Sequence, residues 1–117
     1  MTIQTIGFIG LGNMAKAIIG GILKNELVKP EDIVGSAATQ ETMDAAADQF
    51  GIRTERSNKE IARRSDLIVL AVKPVILPVV IEEIRDAVGE DKLVLSVAVG
   101  KTTKWLSEQF EHPVKII

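Results

Sequence analysis

The fold is decided by the stretch Thr5-Ile6-Gly7-Phe8-Ile9-Gly10-Leu11-Gly12-Asn13-Met14-Ala15-Lys16-Ala17-Ile18-Ile19, near the start of the chain. Its apolar run ends at Gly10, a second glycine follows after one residue, and a helical spacing of apolar residues begins at once. The pattern Gly10-x-Gly12-x-x-Ala15 predicts a buried strand that turns sharply into a helix, which is how a Rossmann sheet begins.

Each small residue of this pattern has a distinct predicted role at the turn. Gly10 permits the tight turn, Gly12 lets a ligand approach the backbone, and Ala15 lets the helix pack close to the sheet. Free N–H groups at the start of the helix, together with the helix dipole, would attract the pyrophosphate of a dinucleotide. Because turns also recruit glycine without any ligand, a tight turn with no nucleotide is the alternative interpretation.

The composition indicates one globular domain over residues 1–117, since 46% of the residues are hydrophobic and 26% are charged. The net charge of −2 gives no basic field for nucleic acid or an anionic membrane, and no apolar run reaches the roughly 20 residues of a membrane span. The chain has no cysteine and one histidine, so disulfides and thiolate metal sites are excluded and no metal site is expected. We expect a cytoplasmic protein that binds neither nucleic acid nor membranes.

Strand-like apolar runs alternate with helical patterns along the whole chain. Strands are predicted at about residues 4–9, 32–36, 52–54, 66–72, 92–97 and 114–117, and helices at about 13–24, 39–50, 57–64, 75–88 and 102–110. This alternation predicts an α/β fold, a doubly wound parallel sheet of the Rossmann type in three α/β/α layers. The inward face of the first helix is predicted to consist of Met14, Ala17, Ile18, Gly21 and Ile22.

Polar residues and glycines mark several predicted helix ends. Thr39 is a candidate N-cap, and Gly51 is a stop signal. Ser57-Asn58-Lys59-Glu60 has the form of a capping box, in which the two outer side chains bond each other's backbone. Glu82 and Glu83 have the pattern of a solvated helix face.

The residue that holds the adenosine ribose decides between NADH and NADPH. A count of 22 residues from Gly10 ends at Asp32, but Asp32 precedes the second strand, whereas cofactors lie at the carboxyl ends of strands. Ser36 is at that carboxyl end, and Thr39 follows at a helix start. Neither hydroxyl repels a 2′-phosphate, so the sequence favours NADPH, although no arginine that could clamp the phosphate is evident.

Four motifs occur in an order and at a spacing that resemble those of one family: Ile9-Gly10-Leu11-Gly12-Asn13-Met14-Ala15, Ser57-Asn58-Lys59-Glu60, Leu70-Ala71-Val72-Lys73-Pro74 and Leu95-Ser96-Val97-Ala98-Val99-Gly100. Together they resemble the amino-terminal domain of the pyrroline-5-carboxylate reductases, over essentially the whole chain. The Ala-Val-Lys-Pro stretch is the most discriminating motif, because many dehydrogenases share the glycine turn.

The resemblance implies reduction of 1-pyrroline-5-carboxylate to L-proline with NADPH, or with NADH as the alternative, in proline biosynthesis. The nicotinamide carries the hydride, so no catalytic acid or base is assigned to this chain. Cofactor contacts are implied at three places: Ile9, Gly10, Leu11, Gly12, Asn13 and Met14 for the pyrophosphate, Ser36 and Asn58 for the adenosine half, and Ala71, Val72, Lys73, Pro74, Val97, Ala98 and Val99 for the nicotinamide side.

The sequence departs from the family pattern in two ways. Val99 stands where the family usually has a second alanine, which adds bulk near the nicotinamide. The chain also stops at Ile117, where in the family a helical domain follows that forms the dimer and much of the substrate pocket. We therefore expect this chain to bind the cofactor but to be inactive alone, and the full-length protein to be a homo-oligomer.

Two other interpretations of the function stay open. A β-hydroxyacid dehydrogenase shares the Gly-x-Gly-x-x start, but that family generally has glycine in place of Ala15 and lacks Val-Lys-Pro after the fourth strand. The second is a nucleotide-sensing module that kept the fold and lost the reaction. The role of Lys73 is open as well: its ammonium group could lie near the cofactor or the substrate carboxylate, or only its backbone could matter.

Overall fold

A parallel sheet forms the centre of the protein. The structure, a computed structural model, describes residues 3–97 and 100–117, and within them the strands are β1 (Ile6–Ile9), β2 (Ile33–Ser36), β3 (Arg53–Thr54), β4 (Leu67–Leu70), β5 (Leu93–Ser96) and β6 (Lys115–Ile116). They lie in the order β3-β2-β1-β4-β5-β6, and each neighbouring pair is parallel. The direction of winding reverses between β1 and β4, which is where open α/β sheets bind their ligands.

Helices cover both faces of this sheet. They are α1 (Asn13–Lys24), α2 (Gln40–Phe50), α3 (Asn58–Arg64), α4 (Leu77–Ile84) and α5 (Thr103–Phe110). Buried residues of α1 and α2 form one apolar core with Ile6 and Phe8, while α3, α4 and α5 form a second core with Ile9 and Ile68. The predicted three-layer Rossmann architecture is therefore confirmed. In the part of the chain that the structure describes, no helix has the length and hydrophobicity needed to cross a membrane.

The predicted helix caps are present, with one exception. The hydroxyls of Thr39, Ser57 and Thr102 each accept an N–H bond from the first turn of α2, α3 and α5, and Gly51 ends α2 with φ = 72°. The reciprocal half of the capping box is absent, because the Ser57 N–H donates to the carboxylate of Glu55 instead. Glu60 is bound by the Arg63 side chain, and this hydrogen bond holds the pKa of Glu60 below its usual value.

Several strands and one helix are shorter than predicted. The first strand begins at Ile6 rather than at residue 4, and β4 ends at Leu70 rather than at residue 72. The fourth helix was expected from residue 75 to 88, but the chain first makes a tight turn in which Ile76 N–H donates to Lys73 C=O. The regular helix therefore begins at Leu77, and a 3₁₀ turn over Arg85–Ala87 follows it.

The predicted inward face of α1 is correct only for Ile18 and Ile22, which are half-buried and pack against the core. Ala15 and Ile19 are the buried residues, whereas Met14 is 56% exposed and Gly21 faces solvent. The cause is Leu11, whose side chain is inserted against Gly35 of β2: a Cβ on Gly35 would lie 2.6 Å from Leu11 Cδ2. Leu11, Ala15 and Ile19 are spaced by four residues, so this insertion fixes the rotation of the helix.

Asp66 anchors the chain that enters β1. Its carboxylate accepts backbone N–H bonds from Gln4, at 2.8 Å, and Thr5, at 3.1 Å, and its own N–H donates to Thr5 C=O. These two bonds to the carboxylate, that from Gln4 first, hold the pKa of Asp66 below its ordinary value. A lowered pKa in the folded state means that the ionised carboxylate stabilises the fold above the pKa of the unfolded chain, near 3.9. This stabilisation is lost as the pH falls through the folded-state pKa.

We expect Asp66→Asn to lower the free energy of unfolding by about 1 kcal/mol at pH 7, since an amide is a weaker acceptor than a half-exposed carboxylate. The difference from the unsubstituted chain should shrink as the pH is lowered from 5 towards 2, because both side chains are then neutral. Urea unfolding at several pH values measures this difference in the free energy of unfolding. Asp48→Asn, on the exposed side of α2, is the control. A difference that stays constant over this pH range would contradict the role of the carboxylate.

Candidate active site

The loops of the candidate site are held by backbone bonds at the carboxyl edge of the sheet. The first residue after each of four strands donates its N–H to a carbonyl on a neighbouring strand: Glu55 to Gly35, Gly10 to Ser36, Ala71 to Ile9, and Val97 to Leu70, at 2.9 to 3.2 Å. The parallel pairing therefore extends one residue beyond the strands before the loops separate. The loops after β1, β3, β4 and β5 all begin at this edge.

The turn after β1 requires glycine at position 10. Gly10 has φ = +105°, a conformation that L side chains rarely adopt. A Cβ there would lie 2.4 Å from the Ala71 carbonyl oxygen and 3.1 Å from Val72 Cγ1. The tight-turn role predicted for Gly10 is thus confirmed, and the turn is packed directly against the loop after β4.

Gly12, in contrast, faces open space at the start of α1. It has the ordinary values φ = −80° and ψ = −169°, and no heavy atom lies within 4 Å of a Cβ built on it. Gly12 is the N-cap of α1 and supplies no side-chain hydrogen bond, unlike the threonine and serine caps of α2, α3 and α5. The first N–H groups of α1 have no capping side chain there, and the space in front of them suits an anion such as pyrophosphate.

A cleft of about 190 Å³ opens beside the glycine turn. Ser36 is almost fully buried at the end of β2, and its hydroxyl donates to Asn58 Oδ1 at 2.6 Å. The Asn58 amide in turn donates to Glu83 at 3.4 Å. The cleft brings together predicted site residues from four separate segments and is lined by Ile9, Gly10, Ser36, Ala37, Ala38, Arg56, Asn58, Val72, Ile76, Val80 and Glu83.

Two charged residues of this cleft were not predicted from the sequence. Arg56 comes from the loop after β3, a strand of only two residues, and Glu83 comes from α4, where it had been interpreted as part of a solvated face. No arginine that could clamp a phosphate is evident in the sequence. Parallel pairing of β3 with β2 nevertheless brings Arg56 into the same cleft as Ser36, from 20 residues further along the chain. Short strands at a sheet edge carry too little pattern to reveal such a neighbour.

The remaining predicted contacts lie around the same edge. Ala71 and Val72 are half-buried, Lys73 is exposed, and Val97 packs against the core on the α1 side of the sheet. Asn13 and Met14 are exposed in the first turn of α1, whereas the side chain of Leu11 is buried, so only its backbone is available to a ligand. Pro74 follows Lys73 in the turn before α4. Ala98 and Val99 lie outside the described residues. The cofactor contacts of all these residues stay predictions.

Asp32 and Thr39, which flank the second strand, were the other candidates for contacts to the adenosine ribose or its phosphate. Asp32 belongs to a 3₁₀ turn at the amino end of β2, remote from the carboxyl edge. Thr39 is occupied as the cap of α2, where its hydroxyl bonds the backbone and the side chain of Thr42. A larger, open depression of about 850 Å³ lies at the amino end of the sheet, between Ile3 and Asp32, and contains none of the predicted site residues.

Comparison with known proteins places the sequence in a family. Residues 5–100 match the family model described as "NADP oxidoreductase coenzyme F420-dependent". The pyrroline-5-carboxylate reductase of Escherichia coli (strain K12) is 42% identical over 114 residues, which cover 97% of this chain and 42% of that protein. The chain therefore spans less than half the length of this curated relative.

Solved structures agree in fold with the described sheet and helices. A pyrroline-5-carboxylate reductase from Coxiella burnetii superposes with a TM-score of 0.91 and 34% identity, over 98% of this chain and 43% of that one. The Plasmodium falciparum pyrroline carboxylate reductase, solved with NADP bound, gives a TM-score of 0.81 at 29% identity, over 95% of this chain and 40% of that one.

Proposed function

The chain belongs to the family described as NADP oxidoreductase, coenzyme F420-dependent, and from this membership we propose that it is the NADPH-binding part of a pyrroline-5-carboxylate reductase. The reaction proposed for the complete enzyme is the reduction of 1-pyrroline-5-carboxylate to L-proline. The chain supplies the cofactor half of that enzyme.

One observation of the structure carries this proposal: the open, uncapped start of α1 at Gly12 lies at the sheet edge that also holds Ser36 and Asn58. An anion in front of α1 is stabilised by free N–H groups and by the helix dipole. Ser36 and Asn58 line the cleft at and beyond the carboxyl end of the second strand, where a Rossmann sheet holds the ribose. The residues present therefore fit a dinucleotide.

When bound, the nicotinamide supplies the hydride for the reaction. The role of this chain is to bind the cofactor and to orient its nicotinamide. The N–H groups at the start of α1 hold the pyrophosphate, and Ser36 and Asn58 hold the adenosine half. The loop of Ala71, Val72, Lys73 and Pro74, with Val97, forms the wall on the nicotinamide side. None of these side chains needs to exchange a proton for this role, so we assign no acid or base among them.

The rest of the proposed enzyme lies outside this chain's 117 residues. We propose that a further domain supplies most of the pocket for the small-molecule substrate, and that the complete protein is a homo-oligomer. The further domain is supported by the length of the E. coli relative, which is more than twice that of the matched segment.

The function can be tested with a chimera in which this chain replaces the matching segment of the E. coli reductase. We expect the chimera to restore growth without proline to cells that lack the reductase, and the purified chimera to oxidise NADPH when given 1-pyrroline-5-carboxylate. The same chimera with Gly12→Asp is the control and should do neither. A folded chimera that oxidises a β-hydroxyacid but does not reduce the imine would contradict the proposal.

A further inference from the structure

Arg56 is a cation of the cleft that no carboxylate in the described part of the chain neutralises. It lines the cleft together with Ser36, Ala37 and Ala38, and its side chain is exposed to solvent. The ion pairs within 4.0 Å among residues 3–97 and 100–117 involve Arg63, Arg64 and Arg85, and none involves Arg56. An arginine in this position is available to a ligand.

The backbone places Arg56 next to the end of β2. Thr54 pairs with Gly35 in the parallel ladder, and the Glu55 N–H donates to the Gly35 carbonyl at 3.0 Å. Arg56 is therefore the first residue beyond this pairing, beside Ser36, where the ribose subsite of a Rossmann sheet is located.

Two carboxylates near this position, those of Glu55 and Glu83, are bonded to other groups. Glu55 accepts a bond from the Ser57 N–H at 3.0 Å and lies 3.7 Å from the Arg64 guanidinium. Glu83 lines the same cleft from α4, and its carboxylate accepts from the Asn58 amide. The guanidinium of Arg56 keeps its five donors free for an anion.

The end of β2 itself carries no charge. In sheets that bind NAD, an acidic residue at this place holds the 2′-hydroxyl of the adenosine ribose, and in sheets that bind NADP a nearby arginine accommodates the 2′-phosphate. Here Ser36, Ala37 and Ala38 follow one another, so the end of β2 places no negative charge beside a phosphate. A planar guanidinium can bind two oxygens of such a phosphate at once.

We propose that Arg56 selects NADPH over NADH by binding the 2′-phosphate of the adenosine ribose. Ser36 and Asn58, joined by their hydrogen bond, form the floor of this subsite, and Arg56 supplies its charge. The inference rests on the proposed function, because it assumes that the cleft holds the adenosine half of a dinucleotide.

The test is a calorimetric titration of the 117-residue chain with NADPH and with NADH. Arg56→Ala should raise the Kd for NADPH about 10- to 100-fold, the expected effect of losing a hydrogen-bonded charge pair, and should change the Kd for NADH by less than about twofold. Arg56→Lys keeps the charge without the planar guanidinium, so its Kd for NADPH should lie between those of the unsubstituted chain and Arg56→Ala. The fragments 2′,5′-ADP, which carries the 2′-phosphate, and 5′-AMP, which lacks it, can be used as competitors of the dinucleotides. Arg56→Ala should weaken the binding of 2′,5′-ADP and leave that of 5′-AMP nearly unchanged.

Arg53→Ala is the matched control, because Arg53 is an exposed arginine of the same segment that does not line the cleft. Circular dichroism checks the fold of each variant, and Arg56→Gln replaces Arg56→Ala if the latter does not fold. If the unsubstituted chain binds both dinucleotides and Arg56→Ala weakens both equally or neither, Arg56 is not the selecting residue and the proposed function stands. If the unsubstituted chain binds neither, both proposals are overturned.

Discussion

Gly12→Asp is expected to abolish NADPH binding by the chain without disturbing its fold. The new carboxylate would stand in front of the α1 N-terminus, where the pyrophosphate is proposed to bind. Two like charges about 4 Å apart near a protein surface repel by about 4 kcal/mol, which corresponds to a loss of affinity of roughly a thousandfold. In calorimetric titration, the saturable binding expected of the unsubstituted chain should disappear.

The same substitution should leave the chain at least as stable as before. Gly12 has ordinary backbone angles and open space around its Cβ direction, so the aspartate meets no steric barrier. Aspartate is also a better N-cap than glycine, by a few tenths of a kcal/mol. Gly21→Asp adds the same charge to α1 at a second open position and serves as the control, since it should retain NADPH binding. Unchanged affinity in Gly12→Asp would show that the pyrophosphate does not bind there.

Gly10→Ala is expected to have the opposite profile, a large loss of stability. Its φ of +105° is strained for any L side chain, and the new Cβ would lie 2.4 Å from the backbone oxygen of Ala71. Backbone strain of about 1–2 kcal/mol and overpacking of about 1–3 kcal/mol add to a loss of roughly 3 kcal/mol. That is a large fraction of the 5–15 kcal/mol typical of a small domain.

The loss is measured by urea denaturation of Gly10→Ala beside Gly12→Ala. Both changes add one methyl group to the same loop, but position 12 is open, so Gly12→Ala should alter the free energy of unfolding by no more than about 1 kcal/mol. Equal midpoints for the two variants would contradict the difference between a structural and a ligand-facing glycine.

The sequence was most informative where local chemistry determines the structure. The glycine turn and the caps at Thr39 and Ser57 were predictable because each depends on a few neighbouring residues. The position of Ser36 at the carboxyl end of β2 followed from the length of one apolar run. With these features, the fold class and the edge of the sheet that carries the site could be predicted.

The errors arose where distant segments meet. The rotation of α1 depends on the insertion of Leu11 against Gly35, a contact across 24 residues that the periodicity of α1 alone cannot reveal. Arg56 was missed for the same reason: it enters the cleft through the pairing of β3 with β2, and β3 is two residues long. Tertiary packing decided both cases, and local pattern did not.

The backbone bonds at the carboxyl edge of the sheet have a consequence for the entropy of binding. Glu55, Gly10, Ala71 and Val97 each lose their backbone freedom when the sheet forms, before any ligand is present. Fixing the backbone of one residue costs about 1–2 kcal/mol in conformational entropy. For these four residues, where the loops begin, the entropy is lost on folding and not on binding. A dinucleotide therefore binds to a preorganised sheet edge and need only order the side chains that contact it.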